Sequence, residues 1–281
     1  MATELLKDQR FLQPPEIAAQ LTIGNDKNFQ FASAETEGHG RNATVHGRLF
    51  FTTGPWATRP FVTLVHGWNA ELHYLYILPR VARALNQAGM NAALIELPYH
   101  LHRRPLEKNG MRDFIADNLV GMLFATRQAI SDIHTLNLWA QRQGCPRVGV
   151  WGFSLGAWLA GLYICETELA SAAVLTTPVA NLERAVEELS FCHPIRAGME
   201  GCKIELSALN LSYRRPRVAA ENIQVVESLY DLFVPSKTYS ELANAWGLSG
   251  WEKETQGHIS ILISRGAMLR SIRWLENRLR S

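Results

Sequence analysis

Residues 147–166 read RVGVWGFSLGAWLAGLYICE, and this stretch decides the fold. Its first part, VGVWGF, is a short apolar run without polar alternation, the pattern of a strand covered on both faces. Ser154 follows at once, flanked by Gly152 and Gly156, and the residues from Leu155 onward read as a helix. From Val148 to Cys165 there are 18 residues without a charge, which meets the minimum length of a membrane span. Gly149, Gly152, Ser154, Gly156 and Gly161 interrupt that stretch. The reading is therefore a buried strand, a tight turn and a buried helix, not a span.

The same rhythm extends outward. FVTLVH (61–66), NAALIEL (91–97), AAVLTTP (172–178) and IQVVESLY (223–230) are further strand runs, and WEKET (251–255) is a poorer one. Helical spacing covers 75–89 up to Gly89, 112–143 up to Gly144, 155–169, a segment from about Ser236, and 259–280. Alternation of this kind predicts an α/β domain: a mainly parallel sheet, right-handed crossovers and helices on both faces. FQFASAE and ATVHGRLFFT, between 29 and 52, suggest an antiparallel hairpin. Residues 1–60 thus read as an N-terminal arm and antiparallel strands of the same domain. The core is expected over 61–178 and 223–281. Residues 179–222 contain helical stretches but no clear strand, and read as a small helical cap inserted over one end of the sheet.

Composition narrows the class. The chain has 281 residues, 47% apolar and 19% charged, which excludes disorder and disfavours a charge-laced coiled coil. A net charge of +2 gives no electrostatic reason to expect nucleic acid or an anionic membrane. Cys145, Cys165, Cys192 and Cys202 form no CxxC pair and no zinc spacing. That usage fits a reduced, cytoplasmic protein, and the charged N-terminus lacks the apolar core of a signal peptide. No metal site is expected.

Ligands of open α/β sheets bind beyond the carboxyl ends of the strands, and four features fall there. Ser154 sits on the strand-to-helix turn, where a hydroxyl can project into a site once a base takes its proton. His66-Gly67-Trp68 ends the FVTLV strand. The backbone N–H groups of Leu155 and Trp68 are candidate donors to an oxyanion, while His66 is not read as a base. Asp231 follows IQVVESLY, and His258 follows the WEKET segment. A base needs an orienting acid, and LTTPVAN, after the preceding strand, offers no Asp or Glu. Asp231 and His258 also have plainer readings, as a turn residue and as a core histidine.

Taken together, VTLVHGW, GFSLGAW, DLFVP from Asp231 and GHIS at 257–260 make the chain resemble the α/β-hydrolase superfamily over about residues 45–280. The order Ser…Asp…His is the order of that superfamily. The resemblance implies Ser154 as nucleophile, His258 as base, Asp231 as orienting acid, and the Leu155 and Trp68 amides as oxyanion hole. It implies no metal and no organic cofactor. Ala157 stands where the commonest esterase elbow carries a second glycine, and no HGGG run is present. The implied activity is hydrolysis of a carboxylic ester or thioester of a small molecule through an acyl-enzyme. Acyl transfer by the same triad, and a non-catalytic binding protein on the same fold, are the alternatives.

The loop Pro98-Tyr99-His100-Leu101-His102-Arg103-Arg104-Pro105 also leaves a strand end. Arg103 or Arg104, with Tyr99, are candidates for gripping an anionic group on the substrate. The alternative is a solvated loop with one arginine paired to a structural carboxylate. In the insertion, Met199, Leu206, Leu209, Leu211 and Tyr213 are candidates for an acyl pocket, with Arg214, Arg215 and Arg217 facing solvent.

Overall fold

The apolar runs lie side by side in the middle of a mixed sheet. The computed structural model describes residues 1–17, 19–35, 40–68, 71–105, 114, 119–199, 204–249 and 251–280. Cys202 and the expected helix start at 112 lie outside the described residues. The strands are β1 (Thr22–Ile23), β2 (Asn28–Ala32), β3 (Thr44–Phe50), β4 (Phe61–Val65), β5 (Asn91–Ile95), β6 (Val148–Phe153), β7 (Ala170–Thr176), β8 (Ile223–Ser228) and β9 (Glu252–Glu254). Their order is β1-β2-β3-β5-β4-β6-β7-β8-β9. The first three strands join antiparallel, β3 pairs antiparallel with β5, and every pairing from β5 to β9 is parallel.

Burial explains why these runs lack alternation. Phe61 and Val65 of β4 enter one core, and Val62 and Leu64 enter the other. Helices α1 (Ala2–Lys7), α3 (Leu119–Arg142) and α4 (Leu155–Glu166) contribute to the first core, and α2 (Leu78–Gln87) and α8 (Arg265–Leu279) to the second. Each fully buried Val, Leu, Ile or Phe contributes roughly 1.5–3 kcal/mol. The polar exception is Thr63, whose Oγ1 donates to Asn137 Oδ1 at 2.6 Å. Asn137 Nδ2 in turn donates to the Tyr163 hydroxyl at 3.0 Å, so the buried polar atoms satisfy one another.

Two expected helices begin differently. The segment at 75–89 opens as a π-helical turn, His73–Ile77, before α2, and Pro79 in the first turn of α2 lacks the N–H that a helix start does not need. The segment at 259–280 is a 3-10 turn, Ser260–Ile263, then α8, whose first turn is capped by the Ser264 side chain. In the 179–222 segment lie α5 (Leu182–Glu188) and α6 (His193–Met199), followed by 3-10 turns; α7 (Ser236–Trp246) comes after β8. Among the described residues no helix is long and apolar enough to cross a membrane.

The chain passes from β4 to β5 on one side, then returns past β4 to lay down β6, β7, β8 and β9 on the other. The connections leaving β4 and β6 therefore diverge, which opens a crevice at their carboxyl ends.

Arg103 does not reach that crevice, which corrects the substrate-binding expectation. Its side chain is fully buried and lies 2.8 Å from Asp132 Oδ2. Arg103 also donates to the carbonyls of Glu96 and Asn42, each at 2.9 Å. Asp132 accepts from Ser33 Oγ at 2.6 Å, and Gln128 bridges Ser33 and Asn42. This network ties the loop after β5 to α3 and to the segments flanking β2 and β3. The physical reason is burial: burial pushes the Asp132 carboxyl above its usual range, and Arg103 acts against that rise. Arg104 is half-exposed and pairs with Glu71 at 2.8 Å. Arg103→Ala is expected to cost about 3–5 kcal/mol, because it strands a buried carboxylate. Denaturant midpoints check this, and Arg103→Met combined with Asp132→Leu is expected to lose less.

Candidate active site

The turn at Ser154 is shaped by close packing. A Cβ on Gly152 would lie 2.2 Å from the Gly156 carbonyl oxygen, and one on Gly156 would lie 2.3 Å from that of Val65. No side chain fits at either position, so β6, the start of α4 and the end of β4 press together. Ser154 takes φ +53° and ψ −117°, a left-handed conformation that costs a non-glycine residue roughly 1–3 kcal/mol. The surroundings hold it there. Ser154 N–H still donates to Thr176 O at 2.9 Å, and Ser154 O already accepts from the N–H groups of Ala157 and Trp158 at 2.9 and 3.0 Å.

The three residues picked out by chain order meet at this turn. His258 Nε2 lies 2.8 Å from Ser154 Oγ, and His258 Nδ1 lies 2.7 Å from Asp231 Oδ2. A carboxylate only accepts, so the hydrogen on Nδ1 points to Asp231 and Nε2 presents a lone pair to the serine. The other Asp231 oxygen, Oδ1, accepts the N–H groups of Phe233 and Val234 at 2.8 and 2.9 Å. Asp231 therefore shapes its own turn and orients the histidine with separate oxygens. The Phe233 ring packs against the His258 ring at 5.0 Å between centroids.

His66 is held as structure. Its Nδ1 donates to Gly67 O at 2.8 Å, and its Nε2 accepts from Leu97 N–H at 3.0 Å, which fixes the neutral ring between the loops after β4 and β5. Burial, reinforced by nearby His100, holds its pKa well below the usual value. A Cβ on Gly67 would lie 3.3 Å from Ser154 Cβ, so the loop carrying Trp68 abuts the serine. Leu155 opens α4, where backbone N–H groups point outward and the helix dipole favours negative charge.

Above the serine is a cavity of about 310 Å³. Its lining includes Trp68, Leu155, Trp158, Leu182, Val186 and Ile195, together with Ser154 and His258. Among the described lining residues His258 alone has an ionisable side chain apart from Cys192, whose thiol burial pushes up to about 11. That thiol is protonated at neutral pH and is no rival nucleophile.

Tyr99, Arg103 and Arg104 are not among the described residues that line the cavity. Tyr99 is half-buried, and its N–H donates to Asn42 Oδ1 at 3.1 Å. The insertion does supply lining, though from α5 and α6 and not from the residues expected. Leu206, Leu209 and Leu211 are buried but are not among the described residues that line the cavity; Trp158 Nε1 donates to Leu209 O and Trp246 Nε1 to Leu211 O. Met199 lies on an outer groove, Tyr213 is exposed, and Arg214 pairs with Glu166 instead of facing solvent. Leu182, Val186 and Leu189 recur at helical spacing, a signal legible in the sequence. Phe233 and Ile259, also missed, adjoin Asp231 and His258.

Comparison with family models and with curated protein sequences finds no match. Solved structures are similar. An acetyl xylan esterase from Paenibacillus sp. R4 has TM-score 0.62 and 17% identity, over 97% of this chain and 91% of that one. The α/β hydrolase GrgF from Penicillium sp. sh18 has TM-score 0.61 and 12% identity, over 90% and 99%. Est1E from Butyrivibrio proteoclasticus, solved with ferulic acid bound, has TM-score 0.60 and 12% identity, over 85% and 96%. The chain has the α/β-hydrolase fold.

Two outcomes follow. Gly156→Ala is expected to unfold the protein or prevent its accumulation, since the new Cβ meets backbone; thermal melting and soluble yield check it. Burial lowers His73 and His100 to about 4, and His66 is lowered as well. The unfolded chain therefore takes up protons that the folded chain refuses. Stability is complete above about pH 6.5 and falls as pH drops, by up to about 1.4 kcal/mol per pH unit per histidine. Melts between about pH 7 and pH 4.5 measure the slope. His73→Leu is expected to make it shallower.

Proposed function

We propose that the chain is a serine hydrolase that cleaves the carboxylic ester or thioester of a small molecule whose acyl group is uncharged. One observation carries the reading: the 2.8 and 2.7 Å contacts that join Ser154, His258 and Asp231 at the floor of an apolar cavity. The similarity to esterases supports it. Ser154 Oγ attacks the acyl carbon while its proton passes to His258 Nε2. Asp231 holds the ring and balances the imidazolium charge. The N–H groups of Leu155 and Trp68 receive the oxyanion. His258 then returns the proton to the departing oxygen or sulfur, leaving the acyl group on Ser154. Water, deprotonated by His258, attacks the acyl-enzyme, and His258 passes that proton to Ser154 Oγ as the acid leaves.

The cavity sets the acyl preference. Its walls offer Leu, Val, Ile and Trp surface, and a carboxylate or phosphate placed there would lose its hydration without a partner. Residues 179–222 act as the cap that closes this pocket.

The test is a fluorophosphonate probe and p-nitrophenyl esters. The expected result is an adduct on Ser154, located by mass spectrometry, and hydrolysis that falls about 10⁶-fold in Ser154→Ala. Asp231→Asn is expected to lower kcat by about 10⁴-fold with little change in folding. A folded wild-type protein that neither labels nor turns over any ester would overturn the proposal.

A further inference from the structure

Most of the large apolar side chains that the described residues expose fall in three segments. These are the turn after β4, with Leu72 and Tyr76; the turn after β8, with Tyr230 and Leu232; and the turn after β9, with Ile259 and Ile263. Leu232 is 93% exposed and Ile259 65%. All three segments leave the carboxyl edge of the sheet, and the His73–Ile77 turn packs against the Ser260–Ile263 turn. Tyr230 N–H donates to Gln256 O, two residues before His258. Phe233 and Ile259 are exposed and also line the cavity, so the outer apolar surface runs without a break into the pocket that ends on Ser154.

Two of the three segments carry no exposed charge, while the one after β4 begins at Glu71, which pairs with Arg104. SLYDLFVPS (228–236) and TQGHISILIS (255–264) contain no Lys, Arg or Glu. Their one acid, Asp231, is turned inward with its side chain 1% exposed. An apolar surface of this kind on a chain in water marks an interaction site. Its position decides the occupant. A protein partner, or a second copy of the chain, seated firmly on the rim would seal the mouth of the pocket. A substrate phase seated there would feed it. The lack of cationic groups in the two turns favours a neutral surface over an anionic one.

We propose that this rim docks on the surface of a neutral lipid assembly, so that the site receives a water-insoluble ester directly from that phase. The docking is argued from the exposed surface; the delivery of ester rests on the hydrolase reading above.

The experiment uses the full chain and a Leu72→Ser, Leu232→Ser, Ile263→Ser variant, none of whose altered positions lines the cavity. Both are sedimented with phosphatidylcholine vesicles at about 1 M salt, where the Debye length is about 3 Å and charge effects are screened. Both are assayed on water-soluble p-nitrophenyl acetate and on a long-chain p-nitrophenyl ester dissolved in the vesicles. Wild type is expected to sediment, and the variant to bind about tenfold or more weakly. The acetate rate is expected to stay within about twofold while the vesicle rate falls about tenfold. Wild type left in the supernatant overturns the proposal. So does an equal loss on both substrates, or a wild-type dimer that the variant splits without any change in vesicle binding. If neither ester is hydrolysed and no serine probe reacts, the hydrolase reading fails alone. Vesicle sedimentation lost in the variant still supports docking in that case.

Discussion

Three pieces of backbone meet where β6 turns into α4, and the rest of the site depends on that contact. Gly152 lies against Gly156, and Gly156 lies against the carbonyls of Val65 and His66. Nothing larger than hydrogen fits between them. The packing forces the chain to reverse within one residue, and Ser154 is that residue, held at φ +53°. A side chain on so sharp a turn has one open direction, outward past the strand ends. The same squeeze brings the loop after β4 against the serine. The proposed nucleophile and the proposed oxyanion donors are therefore placed by one packing event.

The acid and base come from farther along the chain, and the parallel sheet brings them in. Pairing of β7, β8 and β9 sets the turns after β8 and β9 side by side at the carboxyl edge. Asp231 belongs to both of its possible readings at once. One oxygen closes a turn through two backbone N–H groups, and the other meets His258. Because the turn is locked, the carboxylate presents a fixed lone pair to the imidazole, and the Phe233 ring packs against the same imidazole.

Next to this arrangement lies a buried polar layer that does no proposed chemistry. His66 spans two loops through both ring nitrogens, and Arg103 joins Asp132 to two carbonyls. Such groups contribute little net stability against apolar replacements, yet they are unforgiving when one partner is removed. They hold the first residues of the connection after β5 in place, whereas Phe114, farther along it, lines the cavity. The cavity itself is completed by two short helices of the insertion, whose apolar faces would otherwise meet water.

Much of this is legible in the sequence. The runs VGVWGF, FVTLVH and NAALIEL are unbroken because both faces of the central strands are covered, and that alone implies helices on two sides. Ser154, Asp231 and His258 stand out because each follows a strand in the order the fold requires. Local pattern fails where the outcome depends on which way a side chain turns. Arg103 and Arg104 are neighbours in one loop, yet one is buried against Asp132 and the other pairs at the surface with Glu71. Leu182 and Leu209 look alike in the insertion, and only the former reaches the cavity. The sequence by itself determined the layers of the sheet, the sharp turn and the identity of the three aligned polar residues, because periodicity and glycine placement are local properties. Tertiary structure alone decided the walls of the cavity, the fate of the arginines and the apolar rim, because each depends on contacts between segments distant in the chain.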